Sequence, residues 1–171
     1  MLITLTFFVL IICVWWIFSL ITGYTFVYIP YKGIPKAKQY AKNEVIPVLE
    51  ELDFNDGKWA AYLSFSRLDL KELEGIIPKR TCLKLADVSI LMKMKKDWNM
   101  VFTAGDIATA ESSIAFTKNG KVVFRSEISV NKYSEGLQSP AFGWIEPVKP
   151  GVILKYCKEF KPVYWPIVIL R

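Results

Sequence analysis

The sequence predicts an α+β protein: an N-terminal transmembrane helix followed by one domain with a mostly antiparallel β-sheet and a few helices. Three observations predict it. The run Met1 to Ile29 carries no charged side chain. Segments further along alternate apolar and polar residues with the period of strands and are joined by turn residues. Short stretches with helical spacing lie between them. The chain divides accordingly into an anchor over 1–30, a juxtamembrane amphipathic helix over 31–53 and a soluble α+β domain over 54–171.

The anchor reading follows from length. A hydrocarbon core about 30 Å thick takes about 20 apolar residues in a helix, and the uncharged run is longer than that. Tyr24, Tyr28 and Tyr31 gather at its far end, where aromatic rings favour the headgroup layer, and Lys32, Lys36 and Lys38 follow. A cleaved signal peptide fits less well, because no basic residue precedes the run and no small-residue cleavage site ends it. Ile12 is too bulky for a lipoprotein site at Cys13. An uncleaved single-pass signal-anchor is therefore expected, with residues 2–29 contacting the membrane. The lysines after the span favour a cytoplasmic domain. Cys82 and Cys157 suggest the opposite, since a possible disulfide between them would need an oxidising compartment.

Of the 171 residues, about 140 remain beyond the anchor, a usual size for one domain. The net charge of +6 suits anionic lipid, nucleic acid or plain solubility. In order, Gly33–Leu52 places Ile34, Ala37, Ala41, Val45, Val48, Leu49 and Leu52 on one helical face, with Pro47 expected to kink it. Asn55-Asp56-Gly57 is a turn, and Lys58–Arg67 alternates as a strand with Trp59, Ala61, Leu63 and Phe65 inward. Leu70–Ile76 reads as a short helix, with Asp69 as its cap. Cys82–Leu85 reads as a strand. Asp87–Lys96 alternates Ile90, Met92 and Met94 with Leu91, Lys93 and Lys95, which predicts another strand, although Asp87 also suits a helix cap.

Trp98–Thr103 predicts a strand before a turn at Gly105-Asp106, and Ala110–Thr117 and Lys121–Val130 predict a hairpin. A three-residue loop, Lys118-Asn119-Gly120, with Gly120 in a G1 bulge, pairs Phe116 with Val122 and Ile114 with Phe124, keeping most large residues on one face. Asn131–Lys149 reads as a long Gly-, Ser- and Pro-containing loop. Gly151–Phe160 predicts a helix with Ile153, Leu154, Cys157 and Phe160 on one face, and Val163–Leu170 an edge strand.

The absence of histidine removes His-based triads and most zinc sites. No phosphate-cradling glycine motif occurs, and no cofactor is expected. Asp106 with Glu111 is the nearest carboxylate pair for a membrane-tethered hydrolase, but a turn and an exposed hairpin face explain both. Lys93, Lys95, Lys96, Lys118, Lys121 and Arg125, with Trp98 and Phe102, suggest a basic lipid- or nucleic-acid-binding surface. The interspersed acids make nucleic acid the less favoured partner. The leading expectation is a non-enzymatic, membrane-anchored module that binds an unidentified protein: an inhibitor or immunity-type protein, or an accessory subunit of an envelope complex. Its candidate contact surfaces are the polar hairpin face (Glu111, Ser113, Lys121, Arg125 and Glu127) and the aromatic loop around Phe142 and Trp144.

Overall fold

A computed structural model of the chain describes residues 2–30, 38–103, 111–131 and 134–171, with side chains from Thr6 onward. In chain order the elements are α1 (Leu2–Thr22), β1 (Phe26–Tyr28), β2 (Val45–Pro47), β3 (Trp59–Ser64), α2 (Arg67–Glu72), β4 (Cys82–Leu85), α3 (Val88–Asp97), β5 (Asn99–Phe102), β6 (Ser112–Lys118), β7 (Lys121–Val130), β8 (Glu135–Ser139), β9 (Gly143–Pro147), α4 (Val152–Cys157), β10 (Lys161–Pro162) and β11 (Ile167–Ile169). Nine strands form one sheet in the order β10-β4-β3-β6-β7-β8-β9-β5-β2, and β1 and β11 form a separate pair. All neighbours in the large sheet are antiparallel, while β1 and β11 run parallel. The α+β class with a mostly antiparallel sheet agrees with the sequence.

Alternation along the strands separates two faces. Ala61 and Leu63 of β3, Leu83 and Leu85 of β4, Ile114 and Phe116 of β6, and Ile128 of β7 belong to one buried cluster with Leu91 and Met94 of α3 and Ile153 and Tyr156 of α4. Helices therefore cover this face. The tail covers part of the other. Val163 N–H donates to Cys82 O beside β4, and Arg171 O accepts from Val122 N–H at the start of β7. Between those two points the tail crosses the face opposite the helices, where Ala60, Ala115 and Thr117 are buried.

The hairpin corrects the expected loop. Asn119 (φ 52°) and Gly120 (φ 78°) are both left-handed, so the loop has two residues, and Lys118 pairs with Lys121. A register shift then falls between Phe116 and Thr117, giving the pairs Thr117–Val122, Phe116–Phe124, Ile114–Ser126 and Ser112–Ile128. The extra residue of the bulge does what a longer loop was expected to do, bringing Phe124 to Phe116 at a ring separation of 5.7 Å.

Three further expectations are overturned. Asp87–Lys96 is not a strand: Asp87 accepts from the N–H groups of Ser89 and Ile90 and starts α3, whose Leu91 and Met94 are buried together with the following Trp98. The expected amphipathic helix over 31–53 is not formed in its described part, 38–53. Asn43 is left-handed (φ 69°), and Val45–Pro47 pairs with β5 as an edge strand that tolerates proline; residues 31–37 lie outside the described residues. The stretch read as a loop from Asn131 contains β8 and β9, paired through Leu137–Ile145 and Gln138–Trp144.

The expected transmembrane anchor is also corrected. Among the described residues no helix is long and apolar enough to cross a membrane, which overturns the single-pass topology and the membrane localisation read from the sequence. The uncharged run is divided between two kinds of structure. α1 stops at Thr22, Gly23 turns with φ 72°, and the chain enters β1 at Phe26. The last turn of α1 is committed to the domain: Ser19 is buried, and its carbonyl accepts from Gly23 N–H and from the Arg80 guanidinium.

Gly23 is required twice over. Its left-handed backbone disfavours a side chain, and a Cβ there would run into the Lys79 carbonyl oxygen. Gly23→Ala is expected to destabilise the fold by about 2 kcal/mol or more. A lowered urea midpoint by near-UV circular dichroism would show it; an unchanged midpoint would contradict the docking of α1 described above.

Candidate functional site

The open part of the outer sheet face is built by β7, β8 and β9. Along β7, Val123, Arg125 and Glu127 point away from the helices and are exposed, while Ser126 and Ile128 are buried. Register places Ser113 beside Glu127, Glu127 beside Gln138, and Gln138 beside Trp144. Four side chains from four adjacent strands thus form one row, about 5 Å from neighbour to neighbour. Glu146 lies two residues beyond Trp144 on the same face and accepts from its indole Nε1 at 2.8 Å. The Trp144 ring lies against Gly136, where a Cβ would strike the indole. That contact holds the ring flat along β8 and β9. Within the row, Gln138 Oε1 is buried without a hydrogen-bond partner, a costly state for an amide oxygen.

The predicted contact residues divide between surface and core. Glu111, Lys121, Arg125 and Glu127 are exposed and Ser113 is half-buried. Ser113 and Glu127 are register partners, and Arg125 sits opposite Ala115. Lys121 lies apart, at the hairpin end opposite Lys118. Phe142 is buried in the core cluster. Trp144 does reach the outer face, although packing leaves little of it exposed. Val123, Gln138 and Glu146 complete the surface and were missed. The alternation of Gln138, Trp144 and Glu146 with Leu137 and Ile145 was the available signal, masked by the glycines and prolines around it.

The other candidate chemistries fare differently. Asp106 of the carboxylate pair lies outside the described residues, and Glu111 is exposed. The proposed basic stripe is split between α3 and the hairpin: Lys95 Nζ donates to Leu52 O, Lys118 pairs with Asp56, and Trp98 is buried. Ser112 donates to the Asp69 carboxylate and accepts from Ser66 N–H, which fastens α2 to β6. Among the described residues no cluster of cysteine and carboxylate side chains is placed to hold a metal ion.

The possible disulfide is absent; Cys82 and Cys157 are both free and buried. Leu83 and Leu85 of β4 face the helices, so alternation turns Cys82 to the opposite side, whereas Cys157 of α4 lies in the core cluster. The sheet separates them. Burial pushes the Cys82 thiol up to about 12 and raises the Cys157 thiol as well, which removes the reactive thiolate. At pH 8, iodoacetamide is expected to modify the exposed Cys13 in the folded chain, and Cys82 and Cys157 only after denaturation. Rapid labelling of either under native conditions, read by peptide mass, would contradict this placement.

Asp97, at the end of α3, accepts from Lys155 Nζ at 2.8 Å and from the Tyr156 hydroxyl at 2.7 Å, both from α4. These bonds hold the Asp97 carboxyl below the ordinary carboxylate range, and the contact with Asp97 raises Lys155. Burial, aided by the Asp97 bond, raises Tyr156. A depressed acid stabilises the fold above its unfolded pKa, about 3.9, and that contribution fades as pH falls through the folded value. The raised Lys155 and Tyr156 contribute below their unfolded values, about 10, and are lost as pH rises through the folded ones. The stability difference between the native chain and Asp97→Asn should therefore be largest from about pH 5 to 9 and shrink on either side. A difference independent of pH would show that this cluster does not couple α3 to α4 electrostatically.

Comparison with known proteins gives no assignment: no family model, no curated protein and no solved structure matches this chain.

Proposed function

We propose that the chain is a protein-binding module whose contact surface is the open outer face of β7, β8 and β9. The observation that carries this reading is the buried, unpartnered Gln138 Oε1 within the row Ser113–Glu127–Gln138–Trp144. A partner that supplies a hydrogen-bond donor there would satisfy an acceptor whose isolation otherwise costs about 1–3 kcal/mol. Around it stand a cation at Arg125, anions at Glu127 and Glu146, and an exposed apolar side chain at Val123. Such a mixture of signs selects a complementary protein surface by register rather than by bulk charge. The sheet backbone and the Trp144–Gly136 contact hold these side chains in place before binding, which reduces the ordering cost of association. An inhibitor or immunity-type role, or that of an accessory subunit, uses a preformed surface of this kind.

A photoreactive amino acid at position 127 is expected to crosslink one partner of defined mass in the cell of origin. The same group at position 158, exposed beyond α4, serves as the control. Gln138→Leu should abolish the position-127 product while leaving the fold intact. Equal products from both positions, or a product indifferent to Gln138→Leu, would defeat the proposal.

A further inference from the structure

The parallel pair of β1 and β11 turns only one of its faces inward. Thr25 and Leu170 are buried and Val27 and Val168 half-buried, while the alternate residues Phe26, Tyr28, Ile167 and Ile169 are exposed. Register sets Phe26 beside Ile167 and Tyr28 beside Ile169, so the four side chains form a two-by-two array. Phe26 N–H donates to Pro166 O and Leu170 N–H to Tyr28 O, both at 2.9 Å, which fixes the array at its two ends. Tyr164 and Trp165, just before β11, are exposed as well, and the Trp165 ring stacks on Trp16 of α1 at 5.4 Å. No charged residue occurs in 24–30 or in 163–170. Parallel strands are found almost only where both faces of their sheet are covered. Here one face of the pair is covered and the other, wholly apolar, is open.

The size of the open face points to what covers it. Phe26, Tyr28, Tyr164, Trp165, Ile167 and Ile169 are each between 47% and 64% exposed. Together they present on the order of 700 Å², above the roughly 300–600 Å² of the largest apolar patch on a typical monomer and close to the about 800 Å² that each chain gives to a standard interface. We propose that this face is the interface of a two-fold homodimer, packed on the same face of a second copy of the chain. The array is complementary to itself, because β1 offers two aromatic rings and β11 two isoleucines. A two-fold axis parallel to the strands and midway between them sets β1 of one copy over β11 of the other, at the usual sheet spacing of about 10 Å. Register then places Phe26 against Ile167 of the second copy and Tyr28 against its Ile169, each ring on a smaller side chain. A partner of different, charged surface would find no charge here to pair with, and its own ions would lose water without return. The interface shares no residue with the row Ser113–Glu127–Gln138–Trp144, so it stands independently of the function proposed above.

The test uses the full chain in a nonionic detergent of matched density, read by sedimentation equilibrium. A particle of two 19.6 kDa chains is expected. Ile167→Glu sets a carboxylate against the Phe26 ring of the second copy and should weaken association about a hundredfold or more. Leu68→Glu, on the exposed side of α2, should leave it unchanged. If near-UV circular dichroism shows that Ile167→Glu does not fold, a photoreactive phenylalanine analogue at position 26 decides the matter. Irradiation is then expected to give a covalent dimer, joined to residues 163–171 of the second copy. A single-chain mass, with the label at position 26 recovered only on added phosphatidylcholine or on detergent, would mean that lipid covers this face and would overturn the proposal. Association that Ile167→Glu leaves intact would belong to the exposed apolar side chains of α1 and would overturn it as well.

Discussion

The register of β6 against β7 governs most of this structure. A period of two lets each strand give one set of side chains to the helices and the other to the opposite face. Ile114 and Phe116 on β6 already face the helices with Leu63 and Ala61 of β3. An Asn-Gly loop alone would bring Val123 opposite Phe116 and turn Phe124 and Ile128 outward. The bulge after Thr117–Val122 adds one residue and reverses that outcome. Phe124 then meets Phe116, and Ile128 joins the core. By the same step Arg125 and Glu127 reach the outer face beside Gln138. The core and the proposed contact row are consequences of one inserted residue.

That dependence also shows what the sequence could reveal. The strands at Trp59–Ser64, Cys82–Leu85 and Lys121–Val130 were legible because alternation and turn residues agreed. The demand that Phe116 and Phe124 share a face was legible as well, but two backbone devices meet it, and only the left-handed pair Asn119 and Gly120 distinguishes them. Between Val88 and Asp97, Ile90, Met92 and Met94 fit a strand, while Leu91, Met94 and Trp98 fit a helix. The cap at Asp87 decided between the two periods. β8 and β9 were hidden because Gly136, Pro140 and Gly143 mimic a loop. Gly136 has a different purpose, leaving room for the Trp144 ring. Of the proposed contact surface, Arg125 and Glu127 were visible as the polar side of a hairpin. Gln138 was not, because its partners come from pairings that no local pattern records.

The N-terminal run shows composition and structure diverging. Lack of charge over Met1–Ile29 suggests one uninterrupted element, yet Gly23 ends the helix and Phe26–Tyr28 pairs with the far end of the chain. Thr25 N–H donates to Thr81 Oγ1, and Thr81 N–H donates to Gly23 O. Polar contacts of this kind place the end of α1 beside the segment that enters β4. An apolar sequence docks here through the polar atoms of its last turn and through Trp16, which stacks on Trp165 of the tail at 5.4 Å, while most other large side chains of α1 are exposed.

Arg80 joins the two ends of the chain. Its guanidinium reaches Ser19 O in α1 and Val163 O in the tail, and its aliphatic stem is buried with Thr81 and Cys82 at the start of β4. Lysine in its place would offer a single ammonium that cannot present the same planar fork to two carbonyls. The tail that Arg80 holds goes on through β11 to Val122, next to the bulge that sets the hairpin register. The attachment of α1 and the cover over the outer face therefore share one residue, so a change in how Arg80 is paired would be felt at both.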